Sequence, residues 1–72
     1  MYIKAGTAEG DAHHTYCNGT RIATAIEADT EKGYVIAIDR DKGKWNDKYG
    51  AYVRRYTGKV ELVHVFTGVV IQ

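Results

Sequence analysis

Short runs of β-forming residues separated by glycine turn signals dominate this sequence, and the strongest of those signals is Asn18-Gly19. An Asn-Gly pair flanked by β-forming residues is the preferred type I′ hairpin turn, because both central residues of that turn need positive φ. We therefore predict that residues 14–17 pair back against the residues from Thr20 onward. Proline is absent, so glycine marks the boundaries between elements.

Residues 20–33 are compatible with two structures. A threonine at the start, several alanines and glutamates, and a glycine at the end would suit a helix over about 21–32. The alternation of Ile22 and Ile26 with small and polar residues instead favours a strand. We expect the strand, because the segment follows a hairpin turn and precedes the clear β run 34–39.

The segment from Asp29 to Gly33 is predicted to be the loop of a second hairpin. Asp29 would accept hydrogen bonds from its own turn, and Gly33 would take the positive φ of a bulge. In the strand that follows, Tyr34, Ile36 and Ile38 are expected on one face.

The rest of the chain extends the β pattern. Further strands are predicted over 1–4, 51–56, 59–66 and 69–72, with a tight turn at Thr57-Gly58. Residues 5–12 are small and polar and predict a mobile loop, whereas residues 40–50 predict a long basic and aromatic loop. We predict one all-β domain over 1–72, a small meander curled into a partly closed SH3-like barrel, because closure removes exposed edges. The alternative is an α+β fold with one helix at about 21–32.

The length of 72 residues and the single cysteine limit how this domain is stabilised. A core of this size gives a small stability margin unless disulfides, metals or oligomerisation add to it. Cys17 has no partner for an internal disulfide, which favours a cytoplasmic setting. No leader segment and no apolar run long enough for a bilayer is expected.

Three acids, Glu27, Asp29 and Glu31, precede Gly33. Paired carboxylates can act as acid and base or bind a hard metal. A turn at 29–33 would spoil their alignment, so we expect them to be turn-formers.

His13, His14, Cys17 and His64 are residue types that suit zinc. Adjacent histidines in a strand point to opposite faces, so only His13 would share a face with Cys17. We expect structural roles for all four, and predict no metal, no cofactor and no nucleophilic cysteine.

Basic and aromatic residues alternate over 40–59, and this stretch is the most informative about function. Tyr52, Arg54 and Tyr56 should line one face of a strand, and Val53 and Arg55 the other. Rings flanked by cations suit protein–protein contacts and single-stranded nucleic acid alike, and also suit a purely structural cover of the core. The predicted partner-binding residues are Lys44, Trp45, Lys48, Tyr49, Tyr52, Arg54, Arg55 and Tyr56.

The segments "EADTEKGYVIAIDRDKG" and "RRYTGKVEL" resemble a pattern in small bacteriophage-encoded and prophage-encoded β-rich proteins of uncharacterised function. In that pattern an acidic turn leads to a strand, a charged variable loop and a closing hairpin. The resemblance covers roughly residues 22–63. It implies a phage or prophage origin and a β-rich fold, and it brings no catalytic residues with it.

The leading hypothesis is a small phage-type protein that binds a host protein in the cytoplasm of an infected bacterium, such as an inhibitor of an antiviral defence complex. A second hypothesis is a small barrel that binds single-stranded nucleic acid, although the net charge of +1 argues against it. The sequence is also compatible with a structural virion component, a homo-oligomer joined through strand edges, or a small-ligand-binding oligomer with His14 and His64 in its pocket. An enzyme is not expected, because no constellation positions a nucleophile, a base and an oxyanion donor.

Overall fold

The computed structural model describes residues 1–72, and they form two antiparallel β-sheets with one short helix. The helix α1 spans Ala8–Asp11. The strands are β1 Tyr2–Lys4, β2 His13–Cys17, β3 Thr20–Arg21, β4 Ala25–Asp29, β5 Tyr34–Ile38, β6 Lys44–Asn46, β7 Ala51–Thr57, β8 Val60–His64 and β9 Val70–Ile71. The β-rich class is confirmed. No helix has the length and apolar character needed to span a bilayer.

The chain does not follow the predicted meander. One sheet has the order β1-β4-β5-β7-β6 and the other has the order β3-β2-β8-β9. Strands β1 and β4 pair across an intervening hairpin, and β8 pairs with β2 rather than with β7. The turn at Thr57-Gly58 therefore carries the chain from one sheet to the other, and the prediction of consecutive hairpins is wrong at this point.

A small core lies between the two sheets. Ile3, Ala28 and Val35 come from the five-stranded sheet, and Val60 and Leu62 come from the four-stranded sheet. The hydrophobic effect acts here on few large side chains, since only Leu62, Val35 and Val60 are both large and fully buried. Every other contribution to stability, including turns and buried polar contacts, therefore has more weight.

The Asn18-Gly19 turn is confirmed, and Asn18 has a second role that sequence did not indicate. Asn18 and Gly19 have φ of 52° and 81°, as a type I′ turn requires. The Asn18 side chain accepts a hydrogen bond from the Lys59 amide at 2.9 Å and donates one to the Thr57 carbonyl at 3.3 Å. These two bonds fix the connection at residues 57–59 that leads from one sheet to the other. At Gly58, the Cβ of any larger residue would clash with the Asn18 side chain.

Residues 25–29 form a strand, so the strand interpretation is confirmed and the helix alternative is wrong. A bulge between Ala25 and Glu27 shifts the register of β4 against β5. The predicted alternation does not continue through it, because the bulge places Ala25 and Glu27, two residues apart, on opposite faces of the sheet. The loop after β4 is as predicted. Asp29 Oδ1 accepts from the amides of Glu31 and Lys32, and Gly33 has φ of 71°.

Both predicted loops contain regular structure. Residues 5–12 include the helical turn α1, whose cap is the Thr7 hydroxyl accepting from the Gly10 amide. Residues 40–50 include β6, which pairs with β7 as the edge of the five-stranded sheet. The prediction that Tyr34, Ile36 and Ile38 share one face of β5 is confirmed. That face is the outer one, because Val35 and Ala37 face the core.

Candidate functional site

The hairpin of β6 and β7 ends the five-stranded sheet on one side, with β6 as an edge strand. Asn46 closes it: its side chain accepts from the Lys48 amide at 2.9 Å, and its carbonyl accepts from the Gly50 amide at 2.9 Å. Gly50 has φ of 63°, which a glycine adopts without steric cost. The short turn keeps Trp45 and Tyr52 directly opposite one another across the two strands.

Trp45 and Tyr52 are large side chains that stay exposed yet are held in place. They are 56% and 48% exposed, and their rings meet edge to face with centroids 5.4 Å apart. The indole nitrogen of Trp45 donates to Asp47 Oδ1 at 2.6 Å. The indole ring is therefore oriented before any partner arrives.

Arg54 continues the same face along β7. Its guanidinium lies over the Tyr56 ring, 5.0 Å from the centroid, and 4.0 Å from a carboxylate oxygen of Asp39. The Asp39 carboxylate accepts backbone hydrogen bonds from Lys42 and Asp41, and these bonds, with Arg54 nearby, hold the pKa of Asp39 below its usual value. We call the group Trp45, Tyr52, Arg54 and Tyr56 the aromatic edge.

The aromatic edge extends the core face of its sheet. Arg54 pairs with Ala37 and Tyr56 pairs with Val35, and both partners are fully buried between the sheets. Residues paired directly across strands share a face. Tyr56 packs against the core, and Trp45, Tyr52 and Arg54 extend the same face beyond it, where they are exposed.

The outer face of the same sheet holds a concavity of about 470 Å³. We call it the cationic concavity. Its lining consists of Ile36, Lys42, Lys44, Trp45, Asn46, Lys48, Tyr49, Val53, Arg54 and Arg55. Strand pairing places Ile36 beside Arg55, and Val53 beside Lys44, on this outer face. The lining includes no carboxylate residue.

The structure brings most of the predicted site together, although not on one face. Six of the eight predicted residues line the concavity, and Tyr52 and Tyr56 do not. The strand alternation predicted for β7 agrees with the register, since Arg54 and Arg55 pair with neighbouring residues of β5 and so project from opposite faces. Sequence reasoning missed Lys42 and the apolar contribution of Ile36 and Val53.

The Glu27 carboxylate fixes the position of Tyr49, which lines the concavity. Glu27 is only 6% exposed, and its two oxygens accept from the Tyr34 hydroxyl at 2.7 Å and from the Tyr49 hydroxyl at 3.0 Å. Tyr49 lies in the β6–β7 turn, so this bond ties the turn down onto the outer face of the sheet. The prediction that Glu27 is a turn-former is wrong; that role belongs to Asp29.

Glu27 and the tyrosines around it, Tyr2, Tyr34 and Tyr49, shift one another's pKa values. Burial raises the pKa of Glu27, but the hydrogen bonds from Tyr34 and Tyr49, together with the nearby Tyr2 hydroxyl and the Lys48 charge, outweigh it and lower the pKa overall. The hydrogen bond to Glu27 raises the pKa of Tyr34 to about 12. Glu27 is therefore ionised at neutral pH and Tyr34 is neutral. The only sign of this carboxylate–tyrosine cluster in the sequence is the high tyrosine content, six residues of 72.

The histidines lie elsewhere. His13 and His64 pair across β2 and β8, with ring centroids 5.2 Å apart, and Cys17 is buried at the far end of β2. His64 Nδ1 accepts from the amides of Phe66 and Thr67 at 3.2 and 3.3 Å, which shapes the turn before β9. No group of three or more His, Cys, Asp or Glu side chains is close enough to hold a metal ion.

Comparisons with protein-family models, with curated proteins and with solved structures give no match to this chain.

Proposed function

We propose that this protein works by binding another protein through the aromatic edge, on a scaffold of two packed sheets that is SH3-like in size. The observation that carries the proposal is the state of Trp45. Its ring is 56% exposed, yet it is fixed by a hydrogen bond to Asp47 and an edge-to-face contact with Tyr52.

Such an exposed and ordered anchor favours a binding surface. Trp, Tyr and Arg are the residues that contribute most to the binding energy of protein interfaces. Each stabilises a complex most when its side chain is already ordered in the free protein, because little conformational entropy is then lost on binding. Arg54 is held over Tyr56 in the same way. A partner would therefore meet a surface whose side chains are already oriented.

The charges of the aromatic edge favour a protein partner over a nucleic-acid strand. Asp47 bonds to the indole of Trp45, and Asp39 lies 4.0 Å from Arg54. Carboxylates at both ends would repel a phosphate backbone, whose neutralisation supplies most non-specific binding to nucleic acid. Mixed charges around aromatic rings match the polar rim of a protein interface.

The partner that we propose is a host protein in an infected bacterial cell, such as a component of an antiviral defence complex that this chain would inhibit by occupying it. The support for this class of partner is the resemblance of residues 22–63 to small phage-encoded proteins. In this proposal the protein has no catalytic step of its own.

Affinity capture from bacterial lysate, read by quantitative mass spectrometry, tests the proposal. The tagged wild-type chain is compared with the double variant Trp45→Ala/Tyr52→Ala. The control is Phe66→Ala, which removes a ring that is 90% exposed beyond β8 in the other sheet. We expect one host protein to be retained by the wild type and the control and lost by the double variant. Equal retention by all three chains would refute the proposal.

A further inference from the structure

The lining of the cationic concavity is rich in basic residues and contains no carboxylate residue. Its lining includes five basic residues, Lys42, Lys44, Lys48, Arg54 and Arg55. Only Arg54 makes an ion pair; the other salt bridge in the structure joins Met1 and Glu31. Four cations around one concavity repel one another unless an anion lies between them.

The concavity is built to hold these charges in position. Arg55 is stacked over the Tyr34 ring, 4.6 Å from its centroid, and the Lys48 ammonium lies 5.3 Å from the centroid of the Tyr49 ring. Both rings belong to tyrosines that bond to Glu27. The carboxylate thus orders two of the cationic side chains through their aromatic supports.

The surface between the cations is apolar. Ile36 is 7% exposed and forms the floor together with Val53, and the ring of Tyr49 lies in the wall. A fully hydrated inorganic anion gains nothing from such a floor, whereas a flat ring system gains from burial and stacking. The volume of about 470 Å³ falls within the range for small-molecule sites.

We propose that the cationic concavity binds a phosphorylated nucleoside. The phosphate oxygens would accept hydrogen bonds from Arg55, Lys44 and Lys48, since guanidinium and ammonium groups bind phosphate with charge-assisted bonds. The base would lie over Ile36 and Val53, against Tyr49.

Lys44, Arg55, Ile36 and Val53 lie on the face opposite Tyr52 and Tyr56. Trp45 and Arg54 belong to the aromatic edge and also line the concavity. The proposed nucleotide site does not depend on the proposed protein partner. The same chemistry is presented by a free nucleotide and by one residue of a strand.

Isothermal titration calorimetry at low salt tests the site with defined probes: adenosine 5′-triphosphate, adenosine 5′-monophosphate, inorganic phosphate, adenosine and a short single-stranded oligonucleotide. We expect the triphosphate to bind more tightly than the monophosphate, and both to bind more tightly than phosphate or adenosine alone. Tighter binding of the oligonucleotide than of the triphosphate would assign the ligand to a strand, and the reverse order would assign it to a free nucleotide.

Paired variants locate the binding. Lys44→Gln/Lys48→Gln removes two charges from the concavity, and Arg21→Gln/Lys59→Gln removes two charges at positions outside it. The first pair removes two charge-assisted contacts to phosphate and should weaken triphosphate binding by at least tenfold, and the second pair should not weaken it. Circular dichroism of both variants confirms that they are folded.

Three results would overturn the proposal: no heat with any nucleotide, equal affinity for inorganic phosphate and the triphosphate, or equal losses in the two double variants. A glutamate-rich peptide that binds as tightly as the triphosphate would also overturn it, because the site would then respond to charge alone.

Discussion

Tyr49 donates a hydrogen bond of 3.0 Å to Glu27, a residue 22 positions earlier in the chain. The bond joins the turn after β6 to the outer face of β4. It links a buried carboxylate to the basic and aromatic hairpin of β6 and β7. The stability of the fold and the shape of the candidate site therefore depend on the same side chain.

Replacing Glu27 with glutamine should weaken both tyrosine hydrogen bonds. Hydrogen bonds to charged groups contribute roughly 1.5–3 kcal/mol each, so we expect a loss of about 2 kcal/mol or more in the free energy of unfolding at pH 7. Urea denaturation at pH 7 measures it. The absorbance of tyrosinate gives a second measure, because the pKa of Tyr34, raised to about 12, should fall back toward 10.0 when the carboxylate is absent.

The same variant should change how stability depends on pH. The pKa of Glu27 in the folded chain lies below its ordinary value of 4.5, so its stabilisation is full above that pH and is lost as the pH falls through the folded pKa. Asp29 and Asp39 also have lowered pKa values, from 3.8. Wild-type stability should begin to fall below about 4.5, and that of Glu27→Gln only nearer 3.8. Identical acid profiles would show that Glu27 is not coupled to folding.

Tyr49→Phe removes the hydroxyl and keeps the ring. We expect a loss of about 1–2 kcal/mol in the free energy of unfolding, together with faster hydrogen exchange of the Lys48 and Gly50 amides. The matched control is Tyr56→Phe, which removes a hydroxyl that makes no hydrogen bond and should change stability by less than about 0.5 kcal/mol. If both variants behave alike, the bond to Glu27 does not order the turn.

Asn18 supports both its own turn and the crossing between the sheets. Asn18→Gly keeps the positive φ but loses the contacts to Thr57 and Lys59, and should cost about 1–2 kcal/mol. Asn18→Ala loses the same contacts and is also strained at φ of 52°, so it should cost about 1 kcal/mol more. Thermal unfolding monitored by circular dichroism ranks the variants. Equal melting temperatures for wild type and Asn18→Gly would exclude the crossing contact as a stabilising one.

Arg54 and Arg55 are neighbours in sequence and lie on opposite faces of β7. Charge reversal of Arg54 should abolish capture of the protein partner. Because Arg54 also lines the cationic concavity, it should weaken nucleotide binding too, but by less than charge reversal of Arg55 does. Charge reversal of Arg55 should abolish nucleotide binding and leave capture of the protein partner intact. Lysate capture and calorimetry on the same two variants measure both. Loss of both activities in each variant would mean that the two faces form a single site.

Local signals predicted the local structure well. Asn18-Gly19 and the loop from Asp29 to Gly33 are set by interactions within a few residues, so their chemistry is visible in sequence. The pairing of β8 with β2 is not visible in the sequence. It depends on burial of Val60 and Leu62 between the sheets, and on the hydrogen bonds of Asn18 to a connection about 40 positions later in the chain. Long-range register has no local signature.

The candidate site was predictable to a similar degree. Its cations and aromatic residues are concentrated over 40–56 and could be found by composition. The bulge at Ala25 and Glu27 could not be found, since one extra residue moves Glu27 to the outer face without any turn residue to mark it. The hydrogen bond between Tyr49 and Glu27 depends on that bulge, so the sequence did not predict it.

Hydrogen exchange of the complex with the captured host protein tests the central claim most directly. If the aromatic edge is the binding surface, amides of β6 and β7 become protected in the complex, whereas those of β8 and β9 exchange as in the free chain. Protection confined to β8 and β9, with β6 and β7 unchanged, would contradict the proposed binding surface.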